Sequence, residues 1–299
     1  MGNGHLHTPA SGGAKHKRRL QLVFILTTLY LAAEVVGGIA THSLALLADA
    51  GHMLTDVAGI GFALLAIGFA ERPATPERTY GFYRVEILAA LANAIVLIGI
   101  SLFILFEAYE RFRSPPEVAS GPMFVVAVVG LAVNIAGVFI LRRGSGESLN
   151  LKGAYFEVLS DMLTSVGVII AAIIIYTTGW RYADPLISAG IGLFILPRTW
   201  ILLREAVGVL LEGTPSDINL PAVREALAEL PGVREIHDLH VWTLTSGVNA
   251  MSGHVVVIDD KLHNLVLSAV HDVLTHRFKI AHVTVQIECD DWRDCEAHL

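Results

Sequence analysis

A polytopic α-helical membrane protein carrying a small C-terminal α+β domain is the fold class this sequence predicts, and three observations predict it. The 299-residue chain is 54% hydrophobic and only 16% charged, against roughly 25% charged in typical soluble domains. Its apolar residues gather in runs long enough to cross a bilayer, for which about 20 residues suffice. After Leu211 that character stops, and segments with helical or alternating apolar spacing take over.

Residues 1–19 hold Gly, Ser, Pro, His5, His7 and His16, then Lys15, Lys17, Arg18 and Arg19. This is the composition of a flexible tail, whose histidines either scavenge metal or are inert. The first residues are polar and the first apolar run is too long for a leader, so the first span is expected to be retained. Six spans are expected, at 20–40, 44–70, 85–106, 123–141, 154–178 and 185–203. The loops after the second and fourth carry Arg72, Arg78, Arg84, Arg142, Arg143 and Lys152, whereas the opposite loops carry only Arg111, Arg113 and Arg181. With the basic cluster before the first span, this asymmetry predicts that both termini are cytoplasmic.

The stretch 212–299 reads as a helix at 221–230, strands at 233–243 and 250–258, a helix at 261–278 and a strand at 281–287. This αββαβ order predicts helices on one face of a sheet. The expected organisation is a His-bearing cytoplasmic tail (1–19), a six-helix transmembrane domain (20–211), and a cytoplasmic domain with an acidic tail (212–299). Two cysteines, Cys289 and Cys295, are too few for a disulfide framework. They either stay thiols or join tail histidines on a soft metal.

The chemistry lies inside the spans. His52 and Asp56 are four apart in the second, and Glu157 and Asp161 repeat the spacing in the fifth. On a helix each pair shares one face. A charged side chain at mid-bilayer costs about 2.5–3.5 kcal/mol even on the gentler insertion scale. Neither span has basic neighbours to form a salt-bridge cluster, so four ligands converging on one dication are the compensating gain. One nitrogen and three carboxylates suit Zn²⁺ and its like, and the imidazole argues against Mg²⁺ or Ca²⁺. Asp49, one turn before His52, either supports the ligands or packs helices. Glu34 in the first span is either one half of a structural pair or a proton relay. Asn93 and Asn134 fit hydrogen bonds between helices.

In the C-terminal domain, His237, His240 and His254 fall on the expected strands, and His282 and Glu288 bracket the last. They form either a metal-binding group or a hydrogen-bonded surface set, with His240 able to stand in for His237. His263, His271 and His276 lie on the polar side of a helix. The loop 71–78 contains no histidine, and no site is expected there.

Four stretches carry a family likeness: Ser43-Leu-Ala-Leu-Leu-Ala-Asp-Ala-Gly-His-Met-Leu-Thr-Asp56, Tyr80-Gly-Phe-Tyr-Arg-Val-Glu-Ile-Leu-Ala-Ala-Leu-Ala-Asn93, Asn150-Leu-Lys-Gly-Ala-Tyr-Phe-Glu-Val-Leu-Ser-Asp161 and His237-Asp-Leu-His-Val-Trp242. They resemble the cation diffusion facilitator family, and most closely its bacterial zinc/cobalt/cadmium resistance branch. The resemblance implies a homodimeric exporter driven by proton antiport, with six helices and a cytoplasmic metallochaperone-like domain. It also implies that His237, His254, His282 and Glu288 bind metal there. Zinc members of the family commonly carry His where this chain has Glu157, and a carboxylate makes the site harder.

The expected function is export of Zn²⁺, with Co²⁺ and Cd²⁺, in exchange for protons, from a bacterial inner membrane. The same ions are expected to regulate through the cytoplasmic domain. No fixed cofactor, enzymatic activity or nucleic-acid partner is expected. An intramembrane metalloprotease would need a His-Glu-x-x-His helix or its equivalent, and the sequence has none. A passive divalent-cation channel or a membrane-bound metal sensor is the alternative, and proton-dependent uphill flux separates it from an exporter.

Overall fold

The computed structural model describes residues 11–70, 75–142, 149–245 and 247–289, with side chains described for 21–58, 61, 75–141, 158–245 and 247–289. The tail histidines His5, His7 and His16, and Cys295, lie outside the described residues and side chains. The chain divides into two compact units, Met1–Ile67 with Ala92–Leu203, and Gly68–Leu91 with Arg204–Leu299.

The first unit is drawn from helices α1 (Ser11–Thr41), α2 (Leu44–Ala70), α3 (Tyr83–Arg113), α4 (Ser120–Arg142), α5 (Leu149–Thr178) and α6 (Ala183–Leu210). Among the described residues, five segments are long and apolar enough to cross a membrane: Gln21–Thr41, Tyr83–Arg113, Ser120–Leu141, Val158–Thr178 and Ala183–Leu210. The remaining expected span, 44–70, coincides with α2, whose side chains from 62 onward lie outside the described residues.

These helices are apolar on every side, so no stripe dictates which face turns inward. Phe103, Phe106 and Leu163 are exposed, as suits a lipid solvent. Small residues set the packing instead. Ala45 and Ala48 of α2, Ala127 of α4 and Ala171 and Ala172 of α5 are buried together with Leu46, Met123, Ile191 and Ile195. Small side chains let helix backbones approach, and close packing is the main attraction between helices in lipid. Gly130 of α4 is one such approach, since a Cβ there would lie 1.7 Å from the Tyr30 hydroxyl of α1.

The turn from α1 to α2 is tight. His42 takes a left-handed conformation (φ 56°), and the Ser43 amide donates to the Gly38 carbonyl at 3.0 Å. The first turn of α2 leaves amides that need acceptors. Asp184, buried at the start of α6, supplies them by accepting from the Leu44 and Ala45 amides at 2.9 and 3.2 Å and from the Ser43 hydroxyl at 2.6 Å. Arg111, near the end of α3, lies 3.6 Å from Asp184 and donates to the His42 carbonyl at 2.6 Å. One carboxylate thus fastens the start of α2 to α3 and α6.

The second unit contains α7 (Leu220–Ala228), β1 (Val233–Thr245), β2 (Val248–Val257), a 3₁₀ turn (Asp260–Leu262), α8 (His263–Asp272), a π turn (Val273–Arg277) and β3 (His282–Glu288). The Asn219 side chain caps α7 by accepting from the Ala222 amide at 3.1 Å, with Pro221 in the first turn. The sheet order is β1-β2-β3, with β1 antiparallel and β3 parallel to β2. The parallel pairing needs a long crossover, which α8 provides. Val223, Leu227, Val266, Val270 and Leu274 of the helical segments pack on Ile236, Leu239, Val241, Met251 and Val255 of the sheet. Burial of these apolar side chains holds the unit together. The stretch 261–278, expected as one helix, is divided among the 3₁₀ turn, α8 and the π turn.

A bulge interrupts β1. His237 pairs with His254 while His240 pairs with Ser252, so three steps on β1 match two on β2. Asp238 within it has φ 49°, a conformation that a short polar side chain tolerates better than most. The segment before α3 belongs to this unit and touches its sheet. Tyr80 stands edge-on to His282 with ring centroids 5.6 Å apart, Arg84 pairs with Glu212 at 2.7 Å, and the Thr245 hydroxyl donates to Glu86.

Candidate functional site

Among the described residues, two groups of side chains have the chemistry to hold a metal ion. The first lies in the membrane unit, where His52 and Asp56 project from α2 and Asp161 from α5. All three are buried, and each offers one ligand atom within 4.8 Å of the others. His52 Nε2 is 3.3 Å from Asp161 Oδ1. Local spacing sets the geometry, because residues four apart on α2 stand one above the other and so face α5 together. The side chain of Glu157, the fourth expected ligand, lies outside those described. A set of imidazole and carboxylates in a region poor in other charge fits a borderline dication that accepts nitrogen and oxygen.

Asp49 does not enter that group. It is buried beside Ser165 of α5, whose hydroxyl lies 3.4 Å from Asp49 Oδ2 and 3.3 Å from Asn134 Nδ2 of α4. Asn134 therefore makes a hydrogen bond between helices. Glu34 of α1 is buried too, and the Tyr30 hydroxyl donates to its Oε1 at 2.5 Å.

The second group lies on the sheet of the other unit. Glu288, at the end of β3, accepts from His237 Nε2 at 3.1 Å through one oxygen and from His254 Nδ1 at 2.7 Å through the other. The imidazole rings stand 5.0 Å apart, placed side by side because His237 and His254 are direct cross-strand partners. Gln286 also donates to Glu288, at 2.8 Å. Burial alone would raise the Glu288 carboxyl, but the hydrogen bonds from His254, His237 and Gln286 outweigh it and hold the group below the usual carboxylate range. Two imidazoles and a carboxylate with ligand atoms within 4.8 Å match the donor set of zinc-type sites, which leave a further position to water or another ligand.

His240 and His282 are not brought to this group. The bulge leaves His240 exposed and bonded to Asp238 at 2.8 Å, and that bond is the largest of the causes that lower the Asp238 carboxyl. His282 opens β3 opposite Ala250, while Glu288 ends it opposite Val256, about 20 Å along the strand at its usual rise. Its neighbour is Tyr80. Cys289 follows β3 directly, and its thiol donates to Asp260 at 3.0 Å. Sequence reasoning missed Gln286, whose two-residue spacing from Glu288 on an alternating strand was the available signal. It also missed Tyr30 and Ser165, which neutral side chains in apolar helices do not announce.

Apolar helices with a buried ligand set between α2 and α5, joined to a small α+β domain with its own ligand set, define an integral membrane protein built to handle cations. The description "Cation efflux transmembrane domain" matches residues 20–211, and "Cation efflux protein, cytoplasmic domain", a dimerisation family, matches residues 215–290. The chain belongs to the cation efflux family, and so is a membrane transporter. It is 49% identical over 291 residues to the metal cation efflux system protein CzcD of Cupriavidus metallidurans, covering 96% of this chain and 90% of that protein. It is 42% identical over 294 residues to a cadmium, cobalt and zinc/H(+)-K(+) antiporter of Bacillus subtilis, covering 96% of this chain and 92% of that protein. It is also 42% identical over 305 residues to the zinc transporter ZitB of Escherichia coli, covering all of this chain and 96% of that protein.

Proposed function

We propose that this protein exports Zn²⁺, with Co²⁺ and Cd²⁺, in exchange for protons. His52, Asp56, Glu157 and Asp161 form the site that carries the ion. The reading includes six spans with α2 among them, both termini in the cytoplasm, a bacterial inner membrane, and a homodimer joined through residues 212–299. What carries it is the burial of His52, Asp56 and Asp161 within 4.8 Å of one another, together with relatives named as transporters of these ions.

The exchange follows from the ligands. A dication binds ionised carboxylates and neutral imidazole, so protons leave as the ion enters and return as it departs. Rocking of helices about a midplane site then exposes it to each side in turn. His237, His254 and Glu288 hold a regulatory ion in the cytoplasmic domain. Filling that site draws the protomers together and biases the transporter toward turnover.

The test is zinc accumulation by inside-out vesicles under an imposed pH gradient. Asp161→Asn keeps the ligand's shape without its charge, and should nearly abolish uptake while the protein remains folded and inserted. Dissipating the gradient should stop uphill uptake by the wild type. Wild-type uptake by a well-folded Asp161→Asn protein, or accumulation with no ion gradient at all, is the outcome that overturns the reading.

A further inference from the structure

Two buried acids of the membrane unit, Glu34 on α1 and Asp49 on α2, stand outside the ion-carrying group and have no basic partner among the described residues. They are 0% and 1% exposed, and the two carboxyl groups lie within hydrogen-bonding reach of each other. Their outer oxygens have donors. Tyr30 Oη donates to Glu34 Oε1 at 2.5 Å, and Ser165 Oγ lies 3.4 Å from Asp49 Oδ2. Thr164 also stands beside Asp49. The other two oxygens, Glu34 Oε2 and Asp49 Oδ1, receive no hydrogen bond from any described group. Ionised carboxylates only accept, so two that face each other have no hydrogen bond to make until one of them carries a proton. Buried polar atoms rarely stay unsatisfied.

We propose that Glu34 and Asp49 form a proton-binding site of their own, holding one proton between them and releasing it when a dication occupies the neighbouring His52–Asp56–Asp161 group. Two carboxyl groups that share one proton are a known solution to placing like charges side by side. A proton fits this place better than a metal ion does. Among the described residues only two carboxyl groups converge, two hydroxyl donors already serve their outer oxygens, and neither acid belongs to a group of three or more possible metal ligands. Among the described residues, the charged or titratable groups facing the pair are Tyr30 from α1 and Asp161 from α5, while Thr164 and Ser165 add neutral hydroxyls.

The link to the carried ion is electrostatic. Asp161 acts on Glu34 through its charge. A dication at Asp161 reverses the sign of that field, and the cost of ionising the pair falls. On release one O–H bond breaks, its electrons stay on the carboxylate oxygen, and the proton passes to water. The pair goes from one negative charge to two. On export the steps reverse.

This inference rests on the proton-exchange reading, and the experiment separates the two. Full-length protein is reconstituted as wild type, Glu34→Gln and Asp49→Asn, each checked for folding by its melting profile. Three quantities are read: zinc affinity, protons released per zinc bound, and the infrared carbonyl band of a protonated carboxyl in the zinc-free protein. The expected result is zinc affinity at neutral pH lower by about tenfold in both variants, because a proton expelled on binding strengthens zinc binding by linkage, and proton release lower by about one per zinc. Either variant should also lose the same component of the carbonyl band. Uphill uptake should fall by about tenfold or more, while uptake down a zinc gradient continues. Wild-type proton counts and an unchanged band in both variants overturn the proposal and leave proton exchange standing. A wild type that releases no protons overturns both. A band that disappears when choline is replaced by sodium or potassium, with the variants insensitive to that change, shows an alkali-cation site and also overturns it.

Discussion

His52 is the nitrogen of the proposed carrying site, and carboxylates make up the remainder. Imidazole favours Zn²⁺ and Co²⁺ over the harder Mn²⁺, which prefers oxygen. His52→Asp is therefore expected to weaken Zn²⁺ transport by about tenfold or more, or ~1.4 kcal/mol in the binding step, and to admit Mn²⁺. Glu157→His adds a nitrogen and should shift preference the other way. Competitive flux of the two ions through wild type and both variants at one pH is the check, and unchanged ratios would show that neither residue touches the ion. Glu288 allows a second prediction. Its folded value is held down, so its stabilising effect is present above the unfolded value of about 4.3 and fades as pH falls through the folded value. In metal-free protein, acidification below roughly pH 4 should loosen β3, and Glu288→Gln should remove that acid sensitivity. Hydrogen exchange of the β2 and β3 amides across pH reads this, and an unchanged profile in the variant would assign the sensitivity elsewhere.

At the scale of elements, the approach of α1 to α4 depends on a missing side chain. A methyl group at Gly130 would lie 1.7 Å from Tyr30 Oη and 2.0 Å from its Cζ, so Gly130→Ala must displace the ring or part the helices. Overpacking of this kind costs about 1–3 kcal/mol, and leaving Glu34 without its donor adds about 1–3 kcal/mol. A lower melting temperature in detergent is expected, and an unaltered one would mean that α1 and α4 do not meet there. This contact also shows where sequence reading stops. The pair His52/Asp56 and the lone acids Asp49 and Glu34 were visible because charge inside an apolar run is costly. Their neighbours were not, because a helix apolar on every side carries no record of its rotation. In the sheet, alternation located the strands to within about two residues. It did not reveal the bulge that turns His240 outward, which depends on pairing with β2 and is not encoded by alternation within one strand.

Across the whole molecule, the end of the apolar runs near Leu211 was legible because composition follows solvent, but the place of Gly68–Leu91 in the second compact unit was not. Which helices touch was not legible, since that is decided between residues far apart in the chain. The seat of Asp184 under α2 is the clearest case. The amides it accepts from belong to Leu44 and Ala45, 140 and 139 residues earlier. A ribosome therefore delivers the start of the second helix long before it delivers the group that completes it. During synthesis those amides must be served by water or by the insertion machinery, and the fold closes only when α6 arrives. Stalled chains ending before residue 183 should thus remain open to protease at the 41–45 corner, and chains carrying α6 should not. Limited proteolysis of ribosome-bound chains of increasing length would locate the change. Protection that appears before α6 has emerged would mean that the corner is closed by another group.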